Sequence, residues 1–344
     1  MDKYIAITDM TLRDGMHSVA HQFTPEQMAR VATALEAAGV DNVEACHGDG
    51  LGGASYNYGF PAASDEEYLT AVSTVLKHSK LSVMFLPGIG ILDDLRMAKE
   101  HNAQVARIAT HCTEADISEQ HIGLAKKLGM QAVGFLMLAH MLDPEGLAKQ
   151  AKLMESYGAD VVYITDSAGA LLPDGARERV AALRAALKCQ VGFHAHNNLG
   201  VAISNTIAAI EAGASVVDAC LCGFGAGAGN AQLEVLVAVM NKLGYRTGAD
   251  LYKTMDAAED VARPLLQRQP VIDRAALSLG YAGVYSSFLL HAFRASERFR
   301  VDARDILMEL GRLKVVGGQE DMIVDVAVEL AERQGRSLAQ GSAS

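Results

Sequence analysis

The chain has 344 residues and half of them are apolar, enough for one domain of about 250 residues plus a smaller one. Lys and Arg number 30 against 41 Asp and Glu, a net charge of −11, which argues against nucleic acid as a partner because phosphate neutralisation needs clustered cations. No apolar run approaches the roughly 18 residues of a membrane span, and the opening MDKYIAITDM has no room for a secretory leader.

Five cysteines without a CxxC pair fit reduced thiols in a cytoplasmic protein better than a disulfide framework or a structural zinc site. Cys220 and Cys222 fall two apart on an apolar run and are expected to share one face of a strand.

In chain order, short β-branched runs appear at Tyr4–Met10, Asn42–Cys46, Leu81–Leu86, Val105–Thr110, Ala132–Leu138, Val161–Thr165, Gln190–His196 and Ser215–Cys222. Each reads as a strand. Amphipathic stretches fall between them at Pro25–Ala38, Glu66–His78, Ser118–Leu128, Glu145–Tyr157, Gly175–Leu187 and Ala202–Ala212, and Ala231–Leu243 follows the last run. Gly39, Gly129, Gly158 and Gly213 stand where a helix ends and a left-handed residue is needed.

Strands alternating with helices imply parallel βαβ units, and eight of them in roughly 250 residues imply an α/β fold, the closed (β/α)8 TIM barrel. An open doubly wound sheet would need a glycine-rich turn after the first strand. The residues there are Thr11-Leu12-Arg13-Asp14-Gly15, which is no such turn. The barrel is expected over 1–250 and a smaller helical C-terminal domain over 251–344. Helices are expected there at Tyr252–Leu266, Ala275–Arg298, Ala303–Leu310 and Asp321–Arg333, with a frayed tail in the last dozen residues.

A barrel of this kind carries its site at the C-terminal ends of the strands. His194 and His196 end the seventh run, and residues two apart on a strand share a face. Two imidazoles and a carboxylate with open positions suit a divalent catalytic metal, and Asp14 is the best-placed third ligand. Alone, the histidine pair would read as hydrogen-bonded strand-end residues; Arg13 and Asp14 at the same face favour the metal. Arg13 can hold a carboxylate, offset charge on a developing enolate, or make a structural salt bridge. His17 is a candidate base because imidazole titrates near neutrality, although in isolation it would read as a loop histidine. The glycine run Gly223–Gly229 lacks the lysine of a phosphate loop and reads as a place of close backbone approach, with Asn230 capping the next helix. The three arginines within His291–Arg300 read as a solvated helix face.

Thr11–Gly15 together with His194-Ala195-His196 resembles the superfamily containing hydroxymethylglutaryl-CoA lyase, isopropylmalate synthase and the class II 4-hydroxy-2-oxovalerate aldolases. Longer stretches resemble the last group: HGDGLGGASYNYGF at His47–Phe60, LPGIG at Leu86–Gly90, ATHCTEAD at Ala109–Asp116, GAGAGN at Gly225–Asn230, GYAGVYSSF at Gly280–Phe288 and VGGQEDMIVDVA at Val316–Ala327. The synthases typically carry glutamine at the position of His17, and glutamate and arginine at those of Ala226 and Ala228, so both differences point to the aldolase.

The resemblance implies metal-dependent cleavage of 4-hydroxy-2-oxopentanoate to pyruvate and acetaldehyde through a metal-stabilised pyruvate enolate, with manganese (Mn2+) as the usual ion. It implies that Asp14, His194 and His196 hold the metal, Arg13 stabilises the enolate and His17 is the general base. Ser167 would contact the substrate and Tyr285 would line the site from the C-terminal region as a catalytic residue; Arg13, Asp14 and His194 would face the substrate too. An acylating acetaldehyde dehydrogenase is the implied partner, receiving the aldehyde through a channel in a hetero-oligomer docked by the C-terminal helices, within aromatic hydrocarbon catabolism. Met16, where smaller residues are common, and Asn197, where a third histidine often follows, depart from the family pattern; Met16 is a candidate for altering the pocket or its entrance. An acyl-CoA condensing or cleaving enzyme on the same scaffold, and a non-catalytic docking subunit, are the alternatives. His17 argues against the first, and the intact set of Arg13, Asp14, His17, His194 and His196 against the second.

Overall fold

A computed structural model describes residues 3–285, 288–316, 319 and 321–334. Residues 335–344 of the expected tail lie outside the described residues, as do Ser286, Ser287, Gly317, Gly318 and Glu320 of the two C-terminal family stretches.

Apolar runs with both faces buried pair in parallel, and eight of them close on themselves. The strands are β1 (Ala6–Leu12), β2 (Asn42–Ala45), β3 (Lys80–Phe85), β4 (Val105–His111), β5 (Gln131–Met137), β6 (Val161–Asp166), β7 (Gln190–Ala195) and β8 (Val216–Ala219). They form a closed barrel in chain order, with β1 paired to both β2 and β8. The helices between and after them are α1 (Pro25–Ala38), α2 (Asp65–Ser73), α3 (Leu92–Glu100), α4 (Glu119–Lys127), α5 (Pro144–Ser156), α6 (Pro173–Ala186), α7 (Ala202–Ala212) and α8 (Leu233–Lys242). This is the TIM barrel that the alternation implies.

Helix α1 shows why these segments fold as they do. Thr24 and Gln27 form a capping box, Pro25 opens the first turn, and Met28, Val31, Ala32, Leu35 and Ala38 lay one buried stripe against the sheet. Helix α3 leaves no clear trace in the sequence pattern. Five of its nine residues are charged and only Leu95 and Ala98 are buried, so its apolar stripe is too thin to read.

Two corrections concern strand and helix ends. β8 stops at Ala219, and Cys222 sits in a left-handed turn (φ 53°), so Cys220 and Cys222 do not share a strand face. The turn is held by Leu221 N–H donating to Thr11 Oγ1 at 2.9 Å and Cys220 N–H to the Ala231 carbonyl at 2.9 Å. The expected helix Ala275–Arg298 is two helices, α10 (Arg274–Ala282) and α11 (Phe288–Phe299); the labels leave α9 for Leu251–Asp256. Gly283 ends α10 with φ 70°, a conformation glycine adopts without steric cost. The chain continues through α12 (Ala303–Arg312) and α13 (Met322–Arg333).

Two hydrophobic clusters organise the chain. The larger runs from Ile5 to Ala262, so α9 and the turns that follow it pack on the barrel through Ala257, Ala258 and Ala262. The smaller joins Leu279, Phe288, Ile306, Leu310 and Val326 of the last four helices. Among the described residues no helix is long and apolar enough to cross a membrane.

Candidate active site

The interior of the barrel is charged as well as apolar. Glu44 of β2, Arg107 of β4 and Asp218 of β8 are at most 1% exposed. Charges that deep must be paired. Arg107 donates to Glu44 Oε1 at 3.1 Å and to Asp218 Oδ2, with its guanidinium about equally close to the Phe135 and Tyr163 rings, 4.5 and 4.6 Å from their centroids. Glu44 Oε2 accepts from Arg13 Nε at 2.7 Å, and Arg13 Nη1 donates to Asp14 Oδ1 at 2.8 Å. Asp218 Oδ2 also accepts from His194 Nδ1 at 3.1 Å. An alternating chain of charge thus runs from Asp14 through Arg13, Glu44, Arg107 and Asp218 to His194.

This chain fixes the protonation of the groups at its ends. Burial alone would raise the Asp14 carboxyl, but Arg13, with His196, His17 and His194, holds it far below the usual carboxylate range. Burial is likewise outweighed at Asp218 by Arg107 and His194, which hold that carboxyl down. An ionised Asp218 can only accept, so it holds a proton on His194 Nδ1 and fixes the orientation of the ring. Burial pushes His196 down to about 4, against the pull of Asp14, so it is a neutral imidazole at pH 7. Asp14, His194 and His196 each offer a donor atom within 4.8 Å of the others, and all three are buried. Such a trio could hold a metal ion.

Asp14 is anchored on its other side. Asn230 Nδ2 donates to Asp14 Oδ2 and to the Phe224 carbonyl. Helix α8 begins later, at Leu233, so Asn230 serves the carboxylate and is not the expected helix cap. The glycine run makes room for this contact. A Cβ on Gly225 would lie 2.4 Å from Asn230 Nδ2 and 2.8 Å from Asp14 Oδ2.

The remaining expected site residues line the same cavity as the trio, about 910 Å³ at the C-terminal end of the barrel. His17 lies half-buried on the single 3-10 turn Asp14–Val19 that also carries Asp14. Ser167 Oγ accepts from Leu138 N–H at 3.0 Å, which leaves its own hydrogen free to donate. Tyr285 reaches the cavity from the segment after α10, and burial, with Cys112 and Glu114 nearby, pushes its hydroxyl well above the ordinary range. Met16 is fully buried and is not among the lining residues, so it supports the turn from behind and does not shape the entrance. Asn197 Oδ1 accepts from Ala202 N–H at 3.2 Å at the start of α7.

Sequence reasoning missed Glu44, Arg107, Asp218 and the role of Asn230. A signal existed for the first three: each is a lone charge inside an apolar strand (NVEA, VARIATH, VVDA), where an unpaired charge would be prohibitively costly.

Comparison with known proteins places the chain in a family. The HMGL-like family matches residues 4–261, and a DmpG-like communication domain matches residues 270–332. The 4-hydroxy-2-oxovalerate aldolase of Carboxydothermus hydrogenoformans is 67% identical over 332 residues, 96% of this chain and 99% of the relative. That of Pelotomaculum thermopropionicum is 62% identical over 334 residues, 97% of this chain and 98% of the relative. Among solved structures, the carboxyl transferase domain of Rhizobium etli pyruvate carboxylase is similar at a TM-score of 0.80 and 18% identity, covering 98% of this chain and 62% of that one, a likeness of fold alone. By these matches the chain belongs to the HMGL-like family and, within it, to the 4-hydroxy-2-oxovalerate aldolases, which are carbon–carbon lyases.

Proposed function

We propose that the chain cleaves 4-hydroxy-2-oxopentanoate to pyruvate and acetaldehyde, with Asp14, His194 and His196 as metal ligands, Arg13 and Ser167 as substrate contacts, His17 as general base and Tyr285 beside the reacting atoms. The observation that carries this reading is the convergence of an ionised carboxylate and two buried imidazoles beside a buried guanidinium in one cavity. The donor set fits a divalent cation, and we take manganese to be the ion used. Held there, it would supply Lewis-acid polarisation of the 2-oxo acid.

The chain's own groups account for the rest. His17 takes the proton of the 4-hydroxyl, whose oxygen becomes the aldehyde carbonyl as the C3–C4 bond breaks. The electron pair of that bond moves into the enolate of pyruvate, and protonated His17 or a water then gives a proton to C3. Arg13 stays charged throughout, because Glu44 and Asp14 outweigh its burial and hold its pKa above the ordinary value, and it offsets the charge gathering on the keto oxygen. Ser167, its oxygen already engaged by Leu138 N–H, turns its hydrogen towards the substrate.

We divide the chain into a catalytic barrel and a helical part, with the boundary moved from 250 to after Ala262, where the buried core of the barrel ends. The match to a communication domain at 270–332 supports an acylating acetaldehyde dehydrogenase as partner, with the aldehyde passed between the two in the cytoplasm. The test is pyruvate release from racemic 4-hydroxy-2-oxopentanoate by metal-stripped protein, with and without manganese. Manganese-dependent release is expected; no release with any divalent ion would reject the reading.

A further inference from the structure

We propose that His17, His21 and Asp49 form a second cation site at the rim of the same cavity, taking an ion of the zinc type and blocking the reaction when filled. The blocking part rests on the reading of His17 as the base.

The argument starts from the turn after β1. Its end, Ala20 and His21, lies in the left-handed region at φ 51° and 61°. That turn brings the His21 ring back edge-on to His17, with centroids 5.0 Å apart. One donor atom from each of His17, His21 and Asp49 lies within 4.8 Å of the other two. All three side chains line the cavity that holds Asp14, His194 and His196, so an ion in solution reaches both trios.

His21 is the independent observation. It is only 8% exposed, and its Nδ1 is buried without a hydrogen-bond partner. That nitrogen lies against Gly48, so a ligand on this ring takes Nε2. The ring stacks on His47 at 4.3 Å and 3°. His47 is not a competing ligand, because both its nitrogens are engaged. Nδ1 accepts from Asp49 N–H at 3.1 Å, which fixes the proton on Nε2, and Nε2 donates to the Gly59 carbonyl at 3.2 Å. His47 therefore serves as a floor, and its bond to the Asp49 backbone holds that residue beside the pair.

Two imidazoles and one carboxylate suit zinc, cobalt or nickel better than magnesium or calcium. The rim trio is weaker than the inner one. Only His21 of the three is buried, and no carboxylate orients its histidines as Asp218 orients His194. The inner site therefore fills first. An ion at the rim uses the His17 lone pair, and His17 can then no longer accept the 4-hydroxyl proton.

The test uses the full chain, stripped of metal and titrated with zinc chloride, with zinc counted per chain by elemental analysis after desalting. Two ions are expected for the wild type and one for His21→Asn and Asp49→Asn; asparagine tolerates the left-handed backbone at position 21. In the manganese-loaded protein, excess zinc is expected to lower turnover by roughly 100-fold, the weight of a general base. Each variant, compared with its own activity before zinc, is expected to resist. One zinc per wild-type chain overturns the site, as does a second zinc retained by both variants. Equal inhibition of the variants, the result expected if zinc merely displaces manganese, overturns the blocking role. A second zinc that is lost in the variants but never affects turnover overturns the blocking role and His17 as base, while the site itself stands.

Discussion

The two ends of the barrel are built from the same eight strands and differ in what those strands present. At the N-terminal end a cavity of about 370 Å³ is lined by Asn42, Lys80, Gln131 and Gln190, and reaches up to Arg107 and Tyr163. At the C-terminal end the larger cavity gathers Asp14, His17, His194 and His196 beside Arg13. At the first end Asn42 Nδ2 donates to Thr8 Oγ1, while Lys80 and Gln190 are exposed. At the other end the charges are buried together, and each depends on the next. Arg107 belongs to both, lining the lower cavity while holding the carboxylates that orient Arg13 and His194. The chemical end is braced by side chains in the middle of the barrel, on the strands and not on the loops.

That contrast can be broken most severely at its centre. Arg107→Met leaves Glu44 and Asp218 buried without their shared cation, and a loss of about 3–5 kcal/mol in denaturant unfolding is expected. A loss under about 1 kcal/mol would show that solvent reaches the pair. His17→Ala is expected to lower turnover by roughly 10²–10⁴-fold while metal content per chain stays the same. Loss of the ion in that variant would remove His17 from the role of base. Asp14→Asn, by contrast, is expected to strip the ion; unchanged metal content would take Asp14 out of the ligand set.

Weaker effects sharpen the comparison. Asp218→Asn no longer fixes the proton on His194 Nδ1, and metal affinity should fall by roughly 10–100-fold, measurable by competition with a chelating dye. His140 tests the link to the C-terminal helices. Its Nε2 donates to the Gly283 carbonyl at 3.0 Å, and burial, with Arg179, His111 and Lys314, pushes it down to about 4. The unfolded chain therefore takes up this proton first, as pH falls below the ordinary histidine value of about 6.5. The stability this residue contributes is full above that pH and fades towards pH 4. The advantage of wild type over His140→Gln should shrink by up to ~2 kcal/mol between pH 7 and pH 4.5, read from unfolding curves at each pH. At the lower end Gln190→Ala, at an exposed strand start, should change stability by less than about 0.5 kcal/mol and leave turnover as it was. A large change in turnover there would mean that the two ends are coupled through more than Arg107.

The sequence alone was enough for the barrel, because burying a parallel sheet on both faces forces long apolar runs and capped helices, and both leave a periodic trace. It was also enough to nominate Arg13, Asp14, His194 and His196, since polar residues at the ends of apolar strands stand out. It failed where the periodic trace is thin, as in α3, and where one glycine decides, as at Gly283. The tertiary structure alone decided that Glu44, Arg107 and Asp218, which come from three separate strands, neutralise one another, and that Asn230 serves Asp14 across more than two hundred residues of chain. It also decided that the left-handed turn at Ala20 and His21 brings His21 and Asp49 beside His17. Such pairings depend on barrel closure, which brings strand ends distant in sequence within a hydrogen bond of one another, and no local pattern encodes that distance.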